Sequence, residues 1–267
     1  MKRPKLLGIG GAHVDRRGRM NAPYIPGASI PGTMQEETGG GVFNALRAAV
    51  QFGVSGSLIS ARGGDSAGDA VAAEAKRAGI EDLSSTFLDR NTASYTALLD
   101  MHGDVAAALA DMAIYETALP RIITRRMSRD AIAGANALLV DANMPEAAIR
   151  KIVAQAAGKP VFALAISPAK AVRLSPLLTE IEVLFLNHRE AKAIVGLEPA
   201  APVEGAALAM ALGRRGLRRA VLTNGGNPVL MLDNGKLTTI TPPVPARIAD
   251  VTGAGDTVIA TFAVMLA

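Results

Sequence analysis

From residue 137 onward the sequence alternates regularly between short apolar runs and stretches with apolar side chains at helical spacing. The runs at 137–141, 160–165, 183–186 and 220–223 read as strands, and the stretches at 145–157, 168–178, 191–195 and 205–215 as the helices between them. Strands that alternate with helices need crossover connections, which a mostly parallel sheet covered on both faces provides. The same alternation opens the chain, with strands at 5–15 and 57–61 and helices at 41–52 and 69–77. The 267 residues, 49% of them hydrophobic, are enough to bury the core of one α/β domain spanning 1–267. The expected fold is therefore α/β and doubly wound, with helices on both faces of the sheet.

Two stretches break the alternation. Residues 16–37 are rich in Pro, Gly and small polar residues, with Pro23, Pro26 and Pro31 blocking a helix, and are too long for an ordinary βα loop. Ile25, Ile30 and Met34 can still alternate on short strands. Residues 91–113 read as a hairpin turning at Met101-His102-Gly103-Asp104. Two such excursions can pair into a small β-sheet lid over the strand ends. A lid there would keep water away from chemistry at the strand ends.

The polar residues at strand ends and helix starts carry the chemistry. Asp15 closes the first strand at its carboxyl end, where open α/β sheets bind ligands, although it reads equally as a turn acid. Gly39, Gly40 and Gly41 open the helix that carries Asn44 one turn inside, and Gly53 ends it. Near the end of the chain, Asp250-Val251-Thr252-Gly253-Ala254-Gly255-Asp256-Thr257 runs into an apolar stretch that reads as a buried helix. Amides of Gly253, Ala254 and Gly255 at that helix start would make an anion site suited to phosphate. Asp256 beside a bound phosphate would accept a proton from an attacking hydroxyl. The plain alternative is a glycine-rich turn with Asp256 capping the helix. Asn187 and Glu190 fall on one side of a first helical turn and suit either a capping pair or a hydrated Mg2+ near phosphates. Thr223, with Gly225 and Gly226 behind it, ends the strand at 220–223.

Composition excludes several classes. There is no cysteine, hence no disulfide, thiolate site or cysteine nucleophile, and His13, His102 and His188 lack ligand spacing for zinc. Aromatics at 3% argue against stacking on single-stranded nucleic acid, and the arginines at 121–129 and 214–219 read as solvated surface under a net charge of +4. No run reaches the length of a membrane span, and the apolar stretch after Lys5 is too brief for a signal peptide. The expectation is a cytoplasmic protein with no nucleic-acid or membrane partner.

The string 250–257 resembles the C-terminal signature of the ribokinase-like (PfkB) sugar and nucleoside kinases, and 38–53 resembles their N-terminal one, with Val42 where a second small residue is usual. Asn187-His188-Arg189-Glu190 resembles the family's phosphate and magnesium motif. Asn91-Thr92-Ala93-Ser94-Tyr95, Leu98-Leu99-Asp100, Gly103, Asp111-Met112 and Gly11-Ala12-His13-Val14-Asp15 look like the pseudouridine kinase branch.

The resemblance covers essentially the whole chain and implies an ATP-dependent kinase acting on a ribosyl 5′ hydroxyl. Its implied catalytic group is Asp256 with Gly253, Ala254 and Gly255. His13, Asp15, Gly40, Gly41, Asn44, Thr92 and Asp111 would bind the substrate. Asn187, Glu190, Thr223, Gly225 and Thr252 would bind the nucleotide, with Mg2+ reached from Glu190 through water and a monovalent cation such as K+ near Asp250. Further helices after residue 267 would complete the adenine pocket, and the free edges of the lid suit a homodimer. Departures from the family pattern are His13 in place of Asn, Leu164-Ala165 in place of an acid and a proline, and Pro228 in place of a glycine. A kinase for pseudouridine, or for ribose, another nucleoside or a sugar acid, stands beside one other class, a nucleoside sensor on the same fold that transfers nothing.

Overall fold

The computed structural model describes residues 3–242 together with Ile259 and Thr261. A nine-stranded sheet runs in the order Lys236–Ile240, Val229–Asp233, Arg219–Thr223, Val183–Asn187, Val161–Leu164, Ala137–Asp141, Lys5–Ile9, Ser55–Ile59, Glu81–Asp82. The seven strands from Arg219–Thr223 to Glu81–Asp82 pair in parallel, and the hairpin formed by the other two adds antiparallel strands at one edge. Parallel strands covered on both faces read as unbroken apolar runs, and Ala137–Asp141 is buried at every position.

Side chains that alternate along each strand feed two cores, one on each face. Leu7, Ile9, Leu138 and Val140 pack with Tyr115 and Ile149 on one side. Leu6, Leu139 and Phe162 pack with Phe43 and Leu46 on the other. The doubly wound architecture expected from the alternation is the one observed.

Strand order reverses beside Lys5–Ile9. The chain runs from it to Ser55–Ile59 on one side, and on the other side the neighbour is Ala137–Asp141, entered much later. Such a reversal opens a crevice at the carboxyl ends of the strands, where doubly wound proteins bind ligands.

A separate four-stranded sheet has the order Gly32–Gly39, His13–Met20, Ser94–Leu99, Val105–Asp111. Its central pair, His13–Met20 and Ser94–Leu99, is parallel, and the outer pairings are antiparallel. Strand Val105–Asp111 is exposed along its whole length.

Several elements depart from the sequence reading. The stretch from Pro168 is a short helix, Pro168–Ala171, that tightens into a 3-10 segment, Val172–Leu177, where Pro176 cannot donate to an α-helical ladder. Helices Ala113–Ile122 and Arg126–Gly134 arise from a stretch in which periodicity gave no helix. Among the described residues no helix is long and apolar enough to cross a membrane.

Candidate active site

A cleft of about 560 Å³ opens at the carboxyl ends of the central strands, beside the reversal in strand order. The structure brings His13, Asp15, Gly40, Gly41, Asn44, Asn187, Glu190 and Thr223 together on its walls, out of separate motifs up to two hundred residues apart in the chain. The residues Asp250, Thr252, Gly253, Ala254, Gly255 and Asp256 lie outside the described residues.

One wall is built where Gly39 and Gly40 join the edge of the small sheet to helix Gly41–Gln51. Gly40 has φ 115°, a left-handed value that favours glycine, and a Cβ there would sit 2.4 Å from the Gly11 carbonyl oxygen. A Cβ on Gly39 would meet Asp15 Oδ2. The missing side chains let the helix start lie against the loop after the first strand, so Asn44 reaches the cleft. The Phe43 N–H donates to the Gly11 carbonyl at 3.3 Å and fastens that contact. Arg47 donates to Asn44 Oδ1 at 3.2 Å, which orients the Asn44 amide.

His13 and Asp15 face each other, Nε2 to Oδ1, at 3.3 Å. Behind His13 stands the buried Tyr115, whose hydroxyl lies 3.4 Å from Nδ1. That hydroxyl accepts from the Ala12 N–H at 3.0 Å and donates to the Ala12 carbonyl at 2.8 Å. Burial, and after it the nearby Asp141 charge, pushes Tyr115 far above the usual phenol range, so it stays a neutral prop.

At the opposite wall, Asn187 caps helix His188–Val195. Its Oδ1 accepts from the Glu190 N–H at 3.0 Å, and Glu190 Oε2 accepts from the Asn187 N–H at 2.8 Å. The capping pair left open by the sequence is therefore present. Among the described residues Glu190 Oε1 has no hydrogen-bond partner, and it belongs to a residue that lines the cleft. Burial raises the Glu190 carboxyl above its usual range against the pull of Asn187. A buried carboxylate with one uncommitted oxygen fits an Mg2+-bound water, and Asn187 supplies the rigidity.

Three of the expected residues do not line the cleft. Thr92 is buried away from the cleft: its hydroxyl accepts from the Gly63 N–H at 2.8 Å and donates to Asp65. Asp65 in turn caps helix Ser66–Arg77 by accepting from the Gly68 N–H at 2.8 Å. Asp111 ends an exposed strand opposite Ser94, and its neighbours Ala110 and Met112 line the cleft instead. Gly225 is exposed in the turn beyond Thr223, off the cleft wall.

Thr92→Val keeps the shape and removes both hydroxyl bonds, so it should cost about 1–3 kcal/mol in urea unfolding while leaving the acceptor KM unchanged. Burial pushes the Asp65 carboxyl up, but hydrogen bonds from Thr92 and Gly68 outweigh it and hold Asp65 below its ordinary 3.8. The stability this gives is present above pH 3.8 and is lost as pH falls through the lower folded value, so acid unfolding should also start at higher pH in the variant.

Sequence reasoning missed Tyr115, Asp141, Asn143 and Lys170. Asp141, buried at the end of its strand, accepts from the Gly11 N–H at 2.7 Å, from the Asn143 N–H at 3.0 Å and from Asn143 Nδ2 at 2.9 Å. Burial pushes its carboxyl up while those bonds pull it back. Asn143 and Lys170 line the cleft itself. A polar residue closing a buried strand was the one available signal, and it marked Asp141 alone.

The match to the pfkB family of carbohydrate kinases spans residues 12–267. The chain belongs to that family. It is accordingly a phosphotransferase with an alcohol group as acceptor. This kinase is 29% identical over 256 residues to the pseudouridine kinase of Escherichia coli K12, covering 96% of this chain and 81% of that protein. It is 27% identical over 243 residues to the ribokinase of Haemophilus influenzae, covering 89% of this chain and 78% of the relative.

Among solved structures, a carbohydrate kinase from Agrobacterium tumefaciens superposes with a TM-score of 0.83 at 42% identity, covering 97% of this chain and 83% of that one. Arabidopsis thaliana ribokinase, solved with ribose and ATP, superposes at 0.84 with 21% identity, covering 98% and 86%, and so supports the ribokinase-like fold.

Proposed function

We propose that this kinase moves the γ-phosphoryl group of ATP onto the primary 5′ hydroxyl of pseudouridine. The observation that carries the reading is the division of one cleft. His13, Asp15 and Asn44 offer hydroxyl-binding groups on the side of the first strand, while Asn187, Glu190 and Thr223 stand on the side of the later strands. A ribosyl acceptor and a nucleotide phosphate chain can thus meet at the strand ends between them. The likeness to a pseudouridine kinase supports that acceptor over ribose alone.

In this account Asp15, His13 and Asn44, with the backbone at Gly40 and Gly41, grip the ribose hydroxyls. Asp256 takes the proton as the acceptor oxygen bonds to the γ-phosphorus and the bond to the ADP oxygen breaks. The amides of Gly253, Ala254 and Gly255 bind the transferring phosphoryl oxygens, and Thr252 contacts the nucleotide. Glu190 would hold Mg2+ through water, and the ion would supply neutralisation of phosphate charge. Asp250 would be the group near a monovalent cation.

The small sheet closes over the cleft as a lid, and its exposed edge strand pairs two copies in a cytoplasmic dimer. Titration calorimetry with ATP and Mg2+ tests the nucleotide half. Saturable one-to-one binding is expected, and absence of ATP binding would overturn the kinase mechanism in favour of a sensor.

A further inference from the structure

One charged group in the cleft has no task in the transfer just described. Lys170 comes from the short helix Pro168–Ala171, is half-buried, and lines the cavity. Among the described residues its ammonium has one hydrogen-bond partner, Asn143 Oδ1 at 2.7 Å. An ammonium carries three donors, so two remain for the contents of the cleft. Burial pushes Lys170 below its usual range while the Asp141 charge pulls it back.

The group is held in place deliberately. Asp141 accepts from Asn143 Nδ2, which forces the Asn143 amide oxygen toward Lys170. Asp141 accepts three hydrogen bonds, two from Asn143 and one from Gly11, and among the described residues the ammonium bonds Asn143 rather than Asp141. Arg173 does not compete either. Its guanidinium donates to the carbonyls of Ala142, Asn143 and Met144 and pairs with Glu116 at 2.7 Å.

A strained turn precedes the helix that carries Lys170. Ile166 has φ 71°, and the Ser167 N–H donates back to the Ala165 carbonyl at 2.8 Å. A β-branched residue is strained in that conformation and persists there only where the surroundings impose it.

Its position and surroundings identify what it reads. The anchor Asn143 follows the strand next to Lys5–Ile9 and neighbours Gly11, which places the pair on the acceptor side, away from Thr223. The wall beside it is apolar, formed by Leu164, Ile166 and Phe185. An apolar wall with a donor-only cation beside it suits a heterocycle bearing a carbonyl oxygen, whose ring faces are apolar and whose edge accepts. Sugar hydroxyls are better served by the mixed donors and acceptors of His13, Asp15 and Asn44. We infer that Lys170, positioned by Asn143, binds a carbonyl oxygen on the base of a nucleoside acceptor and so selects nucleosides over the free sugar. This rests on the ribosyl-kinase reading above.

The test compares wild type with Lys170→Met, which keeps most of the side-chain stem, using ATP, Mg2+ and three acceptors. These are pseudouridine, ribose, and a ribofuranosylbenzene that carries a ring without carbonyls. A hydrogen bond from a charged group is worth about 1.5–3 kcal/mol, or roughly ten- to a hundredfold. The pseudouridine KM should rise by that factor in the variant while KM for ribose and the phenyl riboside stays within about twofold. Wild type alone should prefer pseudouridine to the phenyl riboside by at least about tenfold in KM, which keeps the test decisive if the variant does not fold.

Equal losses on all three acceptors, a fall in kcat rather than a rise in KM, or no change with pseudouridine would each overturn the role of Lys170. A wild type that phosphorylates ribose but not pseudouridine would overturn it too, with the kinase reading intact. Transfer to none of the three would overturn the ribosyl-kinase reading itself.

Discussion

Asp256→Asn is expected to lower kcat by about a hundred- to ten-thousandfold, the range in which a positioned general base contributes. The substitution keeps shape and hydrogen-bonding reach but removes the group that takes the acceptor's proton. Acceptor and ATP binding should survive, so both dissociation constants should stay within about threefold of wild type. Rapid-quench turnover beside calorimetric binding separates the two effects. Near-normal turnover with bound acceptor would show that the proton goes elsewhere, and the carboxylate would then revert to a helix cap.

Gly40→Ala is expected to damage fold and function together. The residue stands at φ 115°, and its new Cβ would lie 2.4 Å from the Gly11 oxygen and 2.7 Å from the Gly11 carbon, both backbone atoms that cannot swing aside. Strain and overpacking together should cost at least about 2 kcal/mol. Relief requires helix Gly41–Gln51 to move off the first strand, carrying Asn44 with it. A displacement approaching an ångström at a positioning residue costs up to about a hundredfold in rate, so kcat/KM should fall by about ten- to a hundredfold. Urea unfolding and steady-state kinetics check the two halves. A stable, fully active variant would show that the close contact at Gly11 is not needed to place Asn44.

The central sheet was legible because buried parallel strands announce themselves as apolar runs, as at Ala137–Asp141 and Val183–Asn187. Strand His13–Met20 was not legible beyond its start, since Arg16, Arg17 and Arg19 break the apolar pattern on a sheet outside the main core. Helix Ala113–Ile122 hid behind Pro120, a residue that ordinarily ends a helix, although Tyr115 and Leu119 bury completely against the core.

Within the site, the glycines and Asn44 were visible because helix starts have a local grammar. Asn187 and Glu190 were visible for the same reason, and the capping box found there is the local half of what they suggested. Gly11 and Asp141 are 130 positions apart and Asn143 and Lys170 are 27 apart, so no local pattern could pair them. Thr92 shows the converse, a residue singled out by its string that does not line the cleft. It stands in a motif-like string, yet its hydroxyl is spent on holding Gly63 and Asp65.

The central claim is ATP-dependent phosphoryl transfer to the 5′ hydroxyl of pseudouridine, and it is tested most directly by mass spectrometry of reactions containing ATP, Mg2+ and pseudouridine, with uridine, adenosine and ribose in parallel. The account predicts one phosphate added to pseudouridine, located on the primary hydroxyl by fragmentation, in stoichiometry with the ADP formed. Phosphorylation of one of the other acceptors in its place would contradict the pseudouridine assignment, and ADP-free reactions with every acceptor would contradict the transfer itself.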